Sequence, residues 1–178
     1  MRKLYDNYVT TVSTWGMAAS YDVLELIVDH CQTNNPSRIL DLGSGISSSV
    51  LSSLKLEGSI TSSDDSEAWL QKTVEFMRKH NLNVHEMVSW NDFKNEQREG
   101  YDFIFYDLGR IPVRLENMKH VFGLLNKGGH ILVDDMHKPK VKELCDSLVK
   151  EFEYEVVRES DKEVRSLSGR YGVLIKKP

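Results

Sequence analysis

Residues 38–49, with the sequence RILDLGSGISSS, decide how the rest of the chain is interpreted. A short apolar run ends at two glycines, and residues 47–56 follow with a helical pattern. A glycine turn between a strand and a helix favours a ligand site, because the backbone can approach a ligand closely and the helix start offers free N–H groups. The dinucleotide fingerprint has Gly or Ala where this chain has Ser48, and Asp41 repels phosphate but suits an amino group. The turn therefore predicts a ligand without phosphate, with an ordinary strand–helix turn as the alternative.

Strands and helices alternate on the C-terminal side of this turn. Apolar runs predict strands at 38–42, 59–62, 84–88, 101–106, 130–133, 154–158 and 171–176. Helical spacing predicts helices at 21–31, 47–56, 66–80, 115–125 and 141–150, the fourth ending at a glycine stop over 126–129. The last two strands are joined by a polar loop without a helical pattern, so the last strand should be antiparallel. We therefore predict an α/β fold: a Rossmann-like, doubly wound, seven-stranded, mostly parallel sheet with helices on both faces.

Length and charge limit the partners of the chain. At 178 residues one domain is expected, and residues 1–35 are interpreted as an N-terminal helical lid segment before a ligand-binding domain over 36–178. The net charge of -4 shows no excess of basic residues, so no nucleic acid is expected as a partner. No apolar run of about 18 residues exists, so no membrane is expected either. Cys31 and Cys145 match no metal or redox spacing, which favours reduced thiols and a cytoplasmic location.

An acidic pair follows the second predicted strand. Asp64 lies 64 − 45 = 19 residues after Gly45, where an acid in this geometry accepts the hydroxyls of a ribose. Asp65 is the less favoured candidate for that role. Either carboxylate could instead cap the helix that begins near Ser66.

Four motifs in register resemble class I S-adenosylmethionine-dependent methyltransferases. They are ILDLGSG (39–45), SDDS (63–66), YDFIFYD (101–107) and LLNKGGHILV (124–133). The resemblance runs from about Pro36 to Pro178 and implies S-adenosylmethionine as cofactor, with the first motif facing its methionine part, Asp64 holding the ribose and Ser89-Trp90 at the adenine. The cofactor-binding residues expected from it are Asp41, Gly43, Ser44, Gly45, Asp64, Asp65, Ser89, Trp90 and Asp107. The sequence departs from the family at Ser47, where many members have glycine, and at Ser89, where many have an acid.

Acidic residues follow the fourth and fifth predicted strands. Asp107, Asp134 and Asp135 together resemble the site of metal-dependent catechol-type O-methyltransferases, which implies Mg²⁺ or another divalent cation as a ligand of these three carboxylates. The pair departs from that pattern, because Asp135 stands where the family has Asn. Capping of a helix and binding of the cofactor amine are the alternative roles for these carboxylates.

A base is needed if the acceptor is a hydroxyl. The presumed base of that subfamily, a lysine, is Arg110 in this chain, and an arginine cannot lose its proton at neutral pH. His137 is therefore the candidate base, because an imidazole titrates near neutral pH. We expect His137 and Asp107 to be the catalytic residues.

The remaining segments should select the substrate. Residues 14–17 (TWGM) are interpreted either as a mobile flap hinged at Gly16 or as residues that pack on the sheet, and Arg165 or Arg170 could meet an acidic group of the substrate. The function predicted is methyl transfer to a small molecule, at oxygen, by a chain that could form a homodimer. The alternatives are a non-catalytic cofactor-binding or partner-binding module of the same fold, a protein or nucleic-acid methyltransferase and, more distantly, a nicotinamide oxidoreductase.

Overall fold

The computed structural model describes residues 1–96, 98–162 and 169–178. These residues form the strands β1 (Arg38–Leu42), β2 (Ser59–Asp64), β3 (Glu86–Ser89), β4 (Tyr101–Tyr106), β5 (Leu125–Val133), β6 (Glu155–Glu159) and β7 (Val173–Lys176). They form the helices α1 (Arg2–Thr11), α2 (Tyr21–Asn34), α3 (Ile46–Ser53), α4 (Glu67–Lys79), α5 (Trp90–Asn95), α6 (Ile111–Gly123) and α7 (Pro139–Glu151).

The seven strands make one sheet in the order β3-β2-β1-β4-β5-β7-β6. The first five strands pair in parallel, and β7 lies antiparallel between β5 and β6. This confirms the predicted fold, including the antiparallel last strand. The chain moves outward in one direction from β1 to β3 and then returns to place β4 on the other side of β1. Ligands in open α/β sheets bind at such a switch point, outside the carboxyl ends of the strands.

Helices cover both faces of the sheet, and successive side chains of β4 pack against opposite sets of helices. Phe103 and Phe105 pack into a cluster with apolar side chains of α1 to α4, whereas Ile104 and Tyr106 pack with those of α5 to α7. A strand buried on both faces has a continuous apolar sequence, which explains why this run showed no alternation. Cys31 and Cys145 are buried free thiols, and burial raises the pKa of each to about 12.

Two helices lie where the periodicity had not predicted them. The polar opening of the chain forms α1, whose Tyr5, Tyr8 and Val9 share one buried face at helical spacing. The short α5 begins directly after β3 and buries Trp90 and Phe93.

The predicted glycine stop over residues 126–129 is wrong. Residues 126–129 lie inside β5 and not at a helix end, because the Gly128 N–H donates to the Lys177 carbonyl and the Lys177 N–H donates to the Gly129 carbonyl. Helix α6 ends earlier, at Gly123. No helix among the described residues is both long and apolar enough to cross a membrane.

Candidate active site

The turn between β1 and α3 is pinned to its neighbours by backbone hydrogen bonds. The Gly43 N–H donates to the Ser63 carbonyl at 2.9 Å, and the Asp107 N–H donates to the Leu42 carbonyl at 2.7 Å. Gly43 has φ +100°, and a Cβ there would lie 2.3 Å from the Asp107 carbonyl oxygen. A Cβ at Gly45 would lie 2.9 Å from the Tyr8 hydroxyl. Glycine is therefore required at Gly43, and the turn leaves its backbone open toward the strand ends.

Asp41 lies behind this turn, fully buried. Its Oδ2 accepts hydrogen bonds from the Ser48 hydroxyl at 2.5 Å and the Ser62 hydroxyl at 2.7 Å. Burial raises its pKa, and the serine hydroxyls partly oppose that rise. Asp41 thus joins β1, α3 and β2, and its expected contact with a cofactor stays a prediction.

Asp64 stands at the end of β2, beside the glycine turn. Its Oδ1 accepts the Ser66 N–H at 2.9 Å, and its Oδ2 accepts the Ser44 hydroxyl at 3.2 Å. Burial raises the pKa of Asp64 to about 7. Asp65, next along the chain, is exposed and faces the β4–α6 loop, where a Cβ on Gly109 would lie 2.5 Å from its Oδ2.

A cavity of about 500 Å³ lies at the carboxyl ends of β1, β2, β4 and β5. A volume of this size suits a cofactor or a drug-sized ligand. Seven of the predicted site residues line it: Gly43, Ser44, Gly45, Asp64, Asp65, Asp107 and Asp135. The structure therefore brings together the glycine turn, the acid after β2 and carboxylates from the ends of β4 and β5.

Five predicted site residues do not line this cavity: Asp41, Ser89, Trp90, Asp134 and His137. The Ser89 hydroxyl accepts the Asp92 N–H as the N-cap of α5, and Trp90 is buried against Phe93. The Nδ1 of His137 lies 3.6 Å from Asp135 Oδ1, and burial lowers the pKa of its imidazole. His137 is thus a neighbour of the lining residue Asp135 and does not itself line the cavity.

The carboxylates at the ends of β4 and β5 are held by a buried arginine that sequence reasoning missed. Arg114 of α6 pairs with Asp107 (Nη2 to Oδ1, 2.5 Å) and with Asp135 (Nη1 to Oδ2, 2.9 Å). Burial raises the pKa of Asp107, and Arg114 opposes the rise. For Asp135 burial acts in the same direction, but Arg114 and Lys138 outweigh it and lower the pKa.

The three predicted metal ligands do not fit a divalent cation. No group of three or more His, Cys, Asp or Glu side chains is arranged to hold a metal ion within the described ranges. The Asp107 and Asp135 oxygens already receive N–H donors from Arg114, and Lys138 Nζ lies 2.5 Å from Asp135 Oδ2. Asp134 is fully buried and lies outside the cavity wall, with its Oδ1 accepting the Asp135 N–H.

The segment before α2 forms one wall of the cavity. Gly16, Met17, Ala18 and Ala19 line it, and Met17 is 71% exposed. Arg170, ahead of β7, also lines the cavity and ties this wall in place: its Nη1 donates to the Trp15 carbonyl and its Nη2 to the Ala18 carbonyl. Arg165, the other arginine considered for the substrate, lies outside the described residues.

Three other lining residues were not predicted as site residues from the sequence. Trp69, Arg114 and Lys138 each lie on or beside a helix and reach the cavity only through the packing of that helix. For Arg114 the sequence does carry one signal. It shares a helix face with Met118 and Val121, four and seven residues later, so an arginine stands among the apolar residues of a buried face.

No protein-family model matches this sequence, and no curated protein matches it. Solved structures match it closely in shape. An O-methyltransferase from Bacillus cereus, in complex with SAH, is 16% identical with a TM-score of 0.71, covering 98% of this chain and 88% of its own. An O-methyltransferase from Streptomyces achromogenes involved in tomaymycin synthesis, in complex with SAM, is 14% identical with a TM-score of 0.74, covering 99% and 89%.

A third similar structure is named for a different kind of substrate. A putative rRNA methylase from Clostridium thermocellum is 18% identical with a TM-score of 0.65, covering 88% of this chain and 96% of its own. These likenesses confirm the fold that the four motifs predicted: the chain has the fold of class I S-adenosylmethionine-dependent methyltransferases. Sequence identities this low carry the fold alone, and neighbours of this shape act on more than one class of acceptor.

Proposed function

We propose that this chain is an S-adenosylmethionine-dependent methyltransferase that acts on a small molecule, at oxygen. The observation that carries the proposal is the cavity at the switch point, whose wall contains both the glycine turn and Asp64. S-adenosylmethionine, when bound, supplies an electrophilic methyl group on its sulfonium sulfur. The chain then has to hold the cofactor, orient the acceptor and remove its proton.

The cofactor end of the cavity is the part with most support. The open backbone of Gly43 and Gly45 suits close approach of the methionine part, and Asp64 suits the ribose hydroxyls. Ser44 donates to Asp64 and so orients its carboxylate for that contact. The adenine contact expected at Ser89 and Trp90 has less support, because neither residue lines the cavity.

The acceptor end is proposed to lie between Met17, Asp107 and Lys138, all of which line the cavity. Asp107 is our candidate for the residue that accepts the proton of the acceptor, because its carboxylate lies in the wall beside the cofactor end. His137, the other candidate base, has less support, because it does not line the cavity and its buried Nδ1 makes no hydrogen bond with any residue that the structure describes.

Binding of S-adenosylhomocysteine to the apo chain tests the proposal. Isothermal titration should show one site, and Asp64→Asn should weaken binding by about tenfold or more, because hydrogen bonds to a charged acceptor contribute roughly 1.5–3 kcal/mol each. Asp146→Asn is the matched control: its carboxylate is exposed on α7 and pairs with Lys142, far from the cavity wall. Absence of binding, or equal affinity in the wild type and Asp64→Asn, would contradict the proposal.

Transfer itself needs a separate measurement. Release of S-adenosylhomocysteine from S-adenosylmethionine is followed with a panel of phenols, catechols and carboxylic acids. Turnover with any of them supports a small-molecule methyltransferase. Tight binding of the cofactor with no turnover across a broad panel would favour the alternative, a non-catalytic module of the same fold.

A further inference from the structure

Arg114 reaches back from α6 to the loop that leaves β4. Its Nη2 donates to the carbonyls of Asp107 at 3.1 Å and Gly109 at 3.2 Å, and its Nε donates to the Leu108 carbonyl at 3.4 Å. Three consecutive carbonyl oxygens therefore point at one guanidinium. The Arg114 side chain is 4% exposed, so these contacts are largely shielded from water.

The same guanidinium joins the ends of two neighbouring strands. It pairs with Asp107 after β4 and with Asp135 after β5, at 2.5 and 2.9 Å. Carbonyl and carboxylate oxygens gathered around one positive charge are the ligands that a hard divalent cation takes in proteins. Here the charge belongs to the chain, and an arginine keeps it at every pH at which the protein is folded.

Carboxylates and cationic side chains already face one another at these strand ends. Three carboxylates, those of Asp107, Asp134 and Asp135, face three cationic side chains: Arg114, Lys138 and Arg170, the last at 3.9 Å from Asp135 Oδ1. A divalent cation would have to enter beside a fixed guanidinium and displace its N–H donors from both carboxylates. Burial makes such like-charge contact more costly than it would be in water.

We propose that Arg114 is a built-in cation that occupies the place of a divalent metal ion between the ends of β4 and β5. The strand ends consequently have no tight site for Mg²⁺ or Mn²⁺, and removal of Arg114 opens such a site. The proposal concerns cation binding by the apo chain, so it stands or fails independently of methyl transfer and goes beyond the proposed function. For catalysis it means that Asp107 and the β4–α6 loop are positioned by Arg114 and not by a bound ion.

Mn²⁺ binding to the apo protein tests this proposal. Free Mn²⁺ is followed by electron paramagnetic resonance, and the melting temperature is measured with and without 1 mM MnCl₂ (about a typical weak-site concentration). We expect no site tighter than about 1 mM in the wild type, and one site at least about tenfold tighter in Arg114→Ala, with a melting temperature that Mn²⁺ raises.

Arg110→Ala is the matched control. Arg110 lines the same cavity, is exposed, and makes no ion pair with any residue that the structure describes, so its loss removes the same charge without freeing a carboxylate. It should bind Mn²⁺ no better than the wild type. A tight site in Arg110→Ala as well would mean that net charge, and not the place of Arg114, controls cation binding, which overturns the proposal.

The wild-type arm keeps the test decisive even if Arg114→Ala does not fold. A wild-type site with a dissociation constant below 1 mM that disappears in Asp107→Asn would overturn the proposal, because the carboxylates would then bind metal with Arg114 in place. A folded Arg114→Ala that binds Mn²⁺ no more tightly than the wild type would overturn it too. Weak wild-type binding that Asp107→Asn leaves unchanged supports it.

Discussion

Asp64 is the residue on which the candidate cofactor end depends, and its protonation should control binding. Burial raises its pKa to about 7, so near neutral pH a large fraction of the apo chain carries a neutral carboxyl there. Only the ionised form accepts hydrogen bonds from both hydroxyls of a ribose. A ligand that binds this form lowers the pKa and expels the proton.

The affinity for S-adenosylhomocysteine should therefore rise with pH up to about 7 and level off above it. Below pH 7 the loss approaches about tenfold per pH unit, and near pH 6 binding releases close to one proton. Calorimetry in two buffers of different ionisation enthalpy, from pH 5.5 to about 8.5, measures both quantities. In Asp64→Asn the dependence should be lost, and a profile identical to that of the wild type would mean that another group titrates.

Among single residues, those that the sequence predicts for the site differ from those it misses in how their positions are determined. Asp64 was predictable because it stands at a strand end, at a fixed distance along the chain from the glycine turn. Arg114 was not, because its partners are the carbonyls of a loop and carboxylates from two strands that only tertiary packing brings together. The sequence predicts that the carboxylates of Asp107, Asp134 and Asp135 lie near one another, as they do. It does not show whether a metal ion or a side chain such as Arg114 supplies the positive charge beside them.

Among the elements, the segment between α1 and α2 is packed at its end, where Ala18 and Ala19 are buried, and exposed at Met17. Residues 14–19 are held by turn hydrogen bonds, from the Met17 and Ala18 N–H groups to the Thr14 carbonyl, and by Arg170, which binds two of their carbonyls. A Cβ on Gly16 would meet no atom within 4 Å, so this part of the segment is not packed against the sheet. The mobile flap considered for residues 14–17 stays a prediction, and the contacts of Arg170 are the place to test it.

Arg170→Ala should loosen this segment while the sheet stays intact. Two carbonyl contacts are lost, so hydrogen exchange at Met17 and Ala18 should accelerate by about tenfold or more, as expected when roughly 1.4 kcal/mol of local stability is lost. Exchange followed by mass spectrometry measures it. Lys177→Ala is the control, because Lys177 likewise donates to a backbone carbonyl, that of Leu125, but at the opposite end of the sheet. Unchanged exchange in Arg170→Ala would show that other contacts hold the wall.

The packing of each strand or helix explains whether the sequence predicts it. Strands β1, β2 and β4 are continuous apolar or small-residue runs buried in the sheet, and they were found nearly at their observed bounds. Helix α1 was hidden by its polar residues, although Tyr5 and Tyr8 are buried, Tyr5 against Tyr21 of α2 and Tyr8 against Phe76 of α4. Strand β5 begins five residues before its apolar part, because pairing with the end of β7 continues it through Gly128 and Gly129.

For the whole molecule, charge decides between the small-molecule proposal and a nucleic-acid methyltransferase of the same fold. The net charge is -4, and the lysines of α7 alternate with acids; Lys142 pairs with Asp146 at 2.7 Å on the exposed face. Binding to a nucleic acid draws mainly on phosphate neutralisation by clustered Lys and Arg. Neither the cavity, with four acidic and four basic lining residues, nor α7 offers such a cluster.

We therefore expect weak binding to structured RNA with little dependence on salt. The dissociation constant of a labelled RNA hairpin, measured by fluorescence anisotropy, should exceed about 100 µM at 150 mM salt and change less than tenfold between 50 and 200 mM. The double variant Glu143→Lys, Asp146→Lys is the positive control. It joins Lys140, Lys142 and Lys150 into one basic face of α7. This variant should bind the RNA more tightly than the wild type and with a steep dependence on salt. Low-micromolar binding by the wild type, falling steeply with salt, would contradict the small-molecule proposal, because it would reveal a basic nucleic-acid-binding surface other than the cavity and α7.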